Sequence, residues 1–265
     1  MLQIKSVLLI FFVFLLNAGL FAQENASDIR EFLENLQKDQ QEMRLELQEI
    51  KTLLSLMVTQ ALQQKPAPQQ PPQVNVRGIE FDIGDNPILG SESTNLIVVE
   101  FTDYQCPFCG RYTRETFPEI EKQYIDNGVI RYVVIDQPLP IHPDAPKAAE
   151  AAHCARDQGK YWEIHEMMMA KQDALKDLSF YARALNLNIG DFENCLNTGK
   201  YREAVSSNMA LSKELGMLGV PGFIIGAMGT DDAKDSRKVT GISMIRGAMP
   251  ITSFQKEIEA AKTAN

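Results

Sequence analysis

A chain of 265 residues with 45% hydrophobic and 23% charged residues can bury a core, which excludes wholesale disorder. Its 26 Lys and Arg against 35 Asp and Glu give a formal charge of −9, the wrong sign for a nucleic-acid binder or a polybasic membrane-surface protein. Four cysteines are too few for a disulfide-dense mini-protein of this length.

Residues 1–22 read as a secretory signal peptide. Lys5 supplies the positive start, Val7 to Leu16 is unbroken hydrophobe, and the small residues Ala18, Gly19 and Ala22 place cleavage after Ala22. The apolar run is shorter than the roughly 20 residues a spanning helix needs. An uncleaved anchor is the alternative, because Leu20 is larger than such a cleavage site prefers. Either way the rest of the chain is exported to the periplasm or elsewhere in a bacterial cell envelope, where disulfides form.

Residues 26–64 contain no Gly and no Pro and are rich in Leu, Glu, Gln and Lys, all good helix formers. Ser27 and Asp28 offer N-cap chemistry. Ile29, Leu36, Met43, Ile50 and Met57 recur at seven-residue spacing, and Leu33, Gln40, Leu47, Leu54 and Ala61 form a second row four residues on. These are the d and a rows of a coiled coil of about five heptads, interrupted by Gln40. A helix about 55 Å long cannot bury such a stripe on itself, so the pattern predicts self-association, with a helix folded back on the main domain as the alternative. Residues 65–77, opening Lys65-Pro66-Ala67-Pro68, are a Pro/Gln-rich spacer of extended character. Residues 78–265 remain for one globular domain.

That domain opens with Leu96-Ile97-Val98-Val99-Glu100-Phe101, which reads as a strand buried on both faces of an α/β sheet. It leads into Cys106-Pro107-Phe108-Cys109. Pro107 suits the first position of a helix that Arg111 to Tyr124 can continue. Cys106 then sits at a helix N-terminus, where partial positive charge favours a thiolate, as an exposed nucleophile; Cys109, one turn inside, is the resolving thiol. Half of a zinc site is a competing reading, but the chain holds no second Cys-x-x-Cys and no matching His pair. An inert disulfide is another, although so local a bond restrains little chain. Val129 to Ile135 gives a second strand. Helical patterns follow at Ala145 to Ala155, Trp162 to Ala170, Leu178 to Leu185 and Tyr201 to Leu215. Gly219-Val220-Pro221-Gly222 turns into a strand at Phe223 to Ile225. A β-prone stretch from Arg237 to Ile245 and a helix from Ser253 to Ala261 close the chain.

Strand, Cys-Pro-Phe-Cys, helix, strand, helical insertion, Val-Pro, strand and helix together resemble the DsbA-like branch of the thioredoxin superfamily. Asp103-Tyr104-Gln105, Ile141-His142-Pro143, Lys147 to Ala152, Gln158 to Trp162 with His165, and Leu215-Gly216 support the likeness over roughly residues 85–262. The resemblance implies an α/β thioredoxin fold with a helical insertion at about 140–215. It also implies thiol–disulfide exchange carried by a redox-active Cys106–Cys109 disulfide, with no cofactor and no metal. By position it makes Pro221 the cis-proline beside the cysteines and Glu100 a buried acid that relays the Cys109 proton. Glu100 shares its strand face with Leu96 and Val98, so burial would raise its pKa; an exposed strand-end carboxylate is the alternative. Pro107, Phe108 and Val220 would meet the client peptide, Val220 through its backbone. Similar proteins often carry a second disulfide where Cys154 and Cys195 lie; two separate buried thiols are the alternative.

His142, His153 and His165 need no catalytic role, and Met167-Met168-Met169 reads as helix core. Phe108 stands where many DsbA proteins have His, so Cys106 is expected to be acidic but less so, and the protein a milder oxidant. The functions implied are an oxidase of secreted clients, slightly ahead on Val220, and an oligomeric isomerase or reductase. Either would need a membrane redox partner. A coiled-coil scaffold with structural disulfides is the third reading.

Overall fold

The computed structural model describes residues 30, 33–58, 75–229 and 237–264. The chain divides into two units between Pro72 and Gln73. The first contains helix α1 over residues 33–58. Its expected stripe faces water: Leu36 is 46% exposed and Met57 67%, with Met43, Leu47, Ile50 and Leu54 between those limits. Residues 26–29 and 59–64 of the predicted helix, the signal at 1–22 and the spacer at 65–74 lie outside the described residues. Among the described residues no helix is long and apolar enough to cross a membrane.

The second unit is built on one mixed six-stranded sheet: β1 (Glu80–Asp82), β2 (Ile88–Leu89), β3 (Leu96–Thr102), β4 (Arg131–Asp136), β5 (Gly222–Met228) and β6 (Lys238–Arg246), in the order β1-β6-β5-β3-β4-β2. Central β3 runs parallel to β4 and antiparallel to β5. All seven of its residues are buried because both faces are covered. Leu96 and Val98 pack on one face with Tyr112, Phe117, Phe223 and Phe254; Ile97, Val99 and Phe101 pack on the other with Leu215, Met217 and Ile224.

The active-site helix departs from its expected continuity. α2 (Pro107–Glu115) stops at Thr116, and α3 (Phe117–Ile120) and a π turn at Glu121–Ile125 follow. Pro118 lies in the first turn of α3, where a missing N–H is tolerated; mid-helix it would break the ladder. The insertion comprises α4 (Ala145–Arg156), α5 (Tyr161–Ala170), a 3₁₀ turn (Gln172–Ala174), α6 (Leu178–Ala184), α7 (Ile189–Thr198) and α8 (Arg202–Glu214). Their Ala-rich and aromatic faces form a third core cluster, which includes Met168 and Met169. The sequence reading lacked α7, β1 and β2. The Asn188 side chain caps α7, accepting from Asp191 N, and Gly199 ends it at φ 65°. α9 (Ile251–Ala264) closes the unit.

The core also takes in Val76, ahead of the expected boundary at residue 78. Val76 is 2% exposed and its carbonyl lies against Gly241, where a Cβ would collide. Gly78 N and Gly241 N bond the opposing strands at 2.8 and 2.9 Å.

Candidate active site

β3 delivers the chain to a turn organised by Asp103. Its Oδ1 accepts from Gln105 N at 2.7 Å, its Oδ2 accepts from Leu139 N at 2.7 Å and from His142 Nδ1 at 2.8 Å, and its carbonyl accepts from Cys106 N at 3.1 Å. The Gln105 side chain docks the start of α4, with Oε1 accepting from Asp144 N at 2.6 Å and Ala145 N at 3.0 Å. Cys106 is then the N-cap of α2, with extended φ and ψ of −73° and 120° and Pro107 following.

The expectation of an exposed nucleophile needs correction. Cys106 is only 4% exposed, because the Val220–Pro221 turn closes over it and its Sγ lies 3.7 Å from the Val220 carbonyl. That peptide bond is cis. Cys109 is fully buried, and both thiols are free. Phe108, between them, is 55% exposed.

The two sulfurs occupy opposite electrostatic settings. The Cys106 pKa is lowered to about 6, chiefly by a hydrogen bond from the Cys109 thiol; burial opposes this, the N–H groups of Cys109 and Phe108 add to it, and Asp103 counters. Cys109 is pushed well above the ordinary thiol range by burial first and by Cys106 second. Its Thr102 neighbour favours the thiolate and Glu100 disfavours it.

Glu100 is 1% exposed on the face it shares with Leu96 and Val98. Its pKa is raised to about 7 by burial, against the pull of a 2.7 Å hydrogen bond from the Tyr132 hydroxyl. Tyr132 is also 2.8 Å from the Tyr112 hydroxyl on α2, so two tyrosines tie the acid to the cysteine helix. Neither tyrosine was singled out from sequence. The signal was available: Tyr132 alternates with Val134 on β4, and Tyr112 lies one turn after Cys109.

The remaining candidates sit elsewhere. Cys154 and Cys195 form a disulfide between α4 and α7, with Cα atoms 5.8 Å apart. His153 is buried against Asp136 at 2.8 Å, and His165 is buried with Nδ1 2.9 Å from the Tyr104 hydroxyl. Burial lowers the His165 pKa to about 4, keeping the ring neutral near pH 7.

A sequence model of the thioredoxin family matches residues 82–242. The chain belongs to that family. Its fold is DsbA-like: the crystal structure of Wolbachia pipientis alpha-DsbA1 superposes with a TM-score of 0.58 at 23% identity, over 68% of this chain and 92% of that one. A provisionally named protein-disulfide oxidoreductase of Rickettsia prowazekii is 30% identical over 62% of this chain and 63% of its own length. A Na(+)/H(+) antiporter, NhaA 3, of Salinispora tropica is 32% identical over 52% of this chain, yet the match spans only 21% of the antiporter. The chain therefore spans less than two thirds of these curated relatives.

Proposed function

We propose that the chain is an exported thiol–disulfide oxidoreductase acting on cysteine-containing client proteins, with oxidation its favoured direction. The carrying observation is the pair itself. An N-capping sulfur with a pKa near 6 stands one turn ahead of a buried sulfur whose pKa is raised. In the oxidised form a client thiolate attacks Cys106, the Cys106–Cys109 bond breaks, and Cys109 leaves with the electron pair. Glu100, half protonated near pH 7, supplies the proton that Cys109 holds so tightly. A second client thiolate then displaces the Cys106 thiolate. The client dithiol is thereby oxidised to a disulfide and the active-site disulfide is reduced to the Cys106 thiolate and the Cys109 thiol, which a membrane redox partner must reoxidise. No cofactor or metal enters this cycle.

Exposed apolar side chains cluster around the same end of the sheet, which suits unfolded clients. Phe108 lies between the cysteines, Leu218 two residues before Val220, Ile141 in the loop after β4, and Met249 just beyond the end of β6 that pairs with Gly222. The Val220 carbonyl lies 3.7 Å from the Cys106 sulfur, and Pro107 and Phe108 follow Cys106 directly in the chain.

The unpartnered stripe of α1 favours a second reading, an oligomeric isomerase in which a coiled coil gathers several catalytic units around one misfolded client. Oxidation of reduced ribonuclease and rescue of scrambled ribonuclease, each with and without residues 26–64, separate the two. Rescue lost on deletion while oxidation survives supports the isomerase; oxidation that survives with rescue unchanged or absent throughout supports the oxidase. A Cys106→Ser chain that loses neither activity would return the cysteines to a structural role.

A further inference from the structure

Gln172 opens the 3₁₀ turn after α5, deep in the helical insertion and 66 residues from Cys106 in sequence. Its Nε2 donates to two carbonyls at the strand-to-helix junction, Tyr104 O and Cys106 O, each at 2.8 Å. An amide nitrogen has two hydrogens, so both are spent on this junction. The Cys106 carbonyl is at the same time the first acceptor of α2, taking Gly110 N at 3.1 Å.

The turn that presents Gln172 is itself held. Arg114 of α2 donates to Met169 O at 3.1 Å, and the Tyr181 hydroxyl donates to Lys171 O. An independent observation comes from Gly110. A Cβ there would stand 2.6 Å from Gln172 Oε1 and 2.8 Å from its Cδ, so the amide crosses α2 only because residue 110 has no side chain.

We propose that Gln172 is the positioning residue through which the helical insertion fixes Cys106 at the N-cap, keeping its sulfur within reach of the first-turn N–H groups. The proposal rests on the reading of Cys106 as the redox nucleophile. Two carbonyls anchored by one amide hold the peptide before Gln105 and the peptide after Cys106. The N–H groups of Phe108 and Cys109, which favour the thiolate, follow two and three residues after Cys106. Without the anchor those donors spend time aimed away from the sulfur, and the thiolate loses their support.

The test uses the full, reduced chain and its Gln172→Ala, Gln172→Met and Gly110→Ala variants, with iodoacetamide alkylation of Cys106 followed against pH. Cys109, buried and protonated, does not compete. The expected result for Gln172→Ala is a midpoint higher by about one pH unit and alkylation about fivefold slower at pH 6. Gly110→Ala, which displaces the same amide, moves the midpoint in the same direction. Gln172→Met keeps the volume and adds no charge but loses both donors, and it decides the question if Gln172→Ala fails to fold. A lowered melting temperature with an unmoved midpoint is the signature of simple packing and overturns the proposal. Oxidation of reduced ribonuclease by the unmodified chain is read separately. Its absence removes the premise, whereas intact oxidation with an unmoved midpoint overturns the role of Gln172 alone.

Discussion

Replacing Glu100 by Gln removes the one carboxyl that β3 buries under the cysteines. Burial lifts its pKa from 4.5 to about 7, and a fully enclosed group needs no discount for solvent screening. The lift of about 2.5 pH units, at 1.36 kcal/mol per unit, is worth about 3 kcal/mol. The sign follows from which form the fold prefers. The protonated acid is favoured in the native state, so its contribution is fully present below pH 4.5 and is lost as pH rises through about 7. The wild type should therefore lose stability over that window relative to Glu100→Gln, whose amide does not titrate. The assay is urea unfolding of both reduced chains at pH 4.5 and pH 8.5, read by the fluorescence of Trp162, the single tryptophan, which packs 6.3 Å from Tyr132. The buried amide adds a cost of its own, but that cost is the same at both pH values. The stability gap should move in favour of Glu100→Gln by about 3 kcal/mol between them. A gap constant to within about 0.5 kcal/mol would show that Glu100 ionises as an ordinary carboxylate, and the proton-donor role would go with it.

The wild-type thiolate should show an alkylation midpoint near pH 6, and a midpoint near 9 would contradict the N-cap argument. Tyr132→Phe removes the hydroxyl that favours the Glu100 anion, so the acid's pKa should rise further and the alkaline loss of stability should deepen, measurable by the same unfolding series. Replacing Cys154 and Cys195 together by Ala opens a loop of 41 residues and should cost about 4 kcal/mol on the chain-entropy estimate, leaving the Cys106 alkylation profile in place. A profile that shifts with it would mean that the disulfide reaches the active site. Cys109→Ser cannot carry the active-site disulfide and should lose client oxidation, whereas Cys106 attacking a client disulfide should leave the two joined, a reducible band on electrophoresis, because Cys109 is no longer there to displace the client.

Much of this fold was legible because the signals are local and strong. A six-residue run, Leu96–Phe101, apolar but for Glu100, reads as a strand covered on both faces, and Pro at a helix's first position marks where Cys106 sits. The Glu100 face followed from strand alternation alone. Other features depend on partners far along the chain. β2 has two residues and pairs with β4 at Ile88↔Val133, so its existence is decided by the neighbouring strand and not by its own composition. α7 escaped notice because its apolar residues are few and its definition comes from Asn188 and Gly199 at its ends. Gln172 carries no pattern at all. An amide in a polar loop becomes informative only when Tyr104 O, Cys106 O and the bare Cα of Gly110 are seen around it.

The proposed direction of exchange, oxidation of the client, is favoured by what each redox form can hold. A disulfide carries no charge at Cys106, so every interaction that favours the thiolate favours the reduced pair and makes the disulfide a stronger oxidant. The main groups that lower the Cys106 pKa are uncharged donors: the Cys109 thiol and the N–H groups of Cys109 and Phe108. Phe108 adds no cation where a histidine would, and Asp103 works against the thiolate. On the proposed oxidase reading the drive comes from geometry, which is what the proposed Gln172 anchor would fix. Glu100 limits the drive from below. Once ionised above about pH 7 its charge faces Cys109 and raises the cost of a negative sulfur there, so proton supply to the leaving Cys109 fades with alkalinity. Client oxidation should then rise with the client thiolate up to about pH 7 and flatten above it, where Glu100 no longer holds a proton to give.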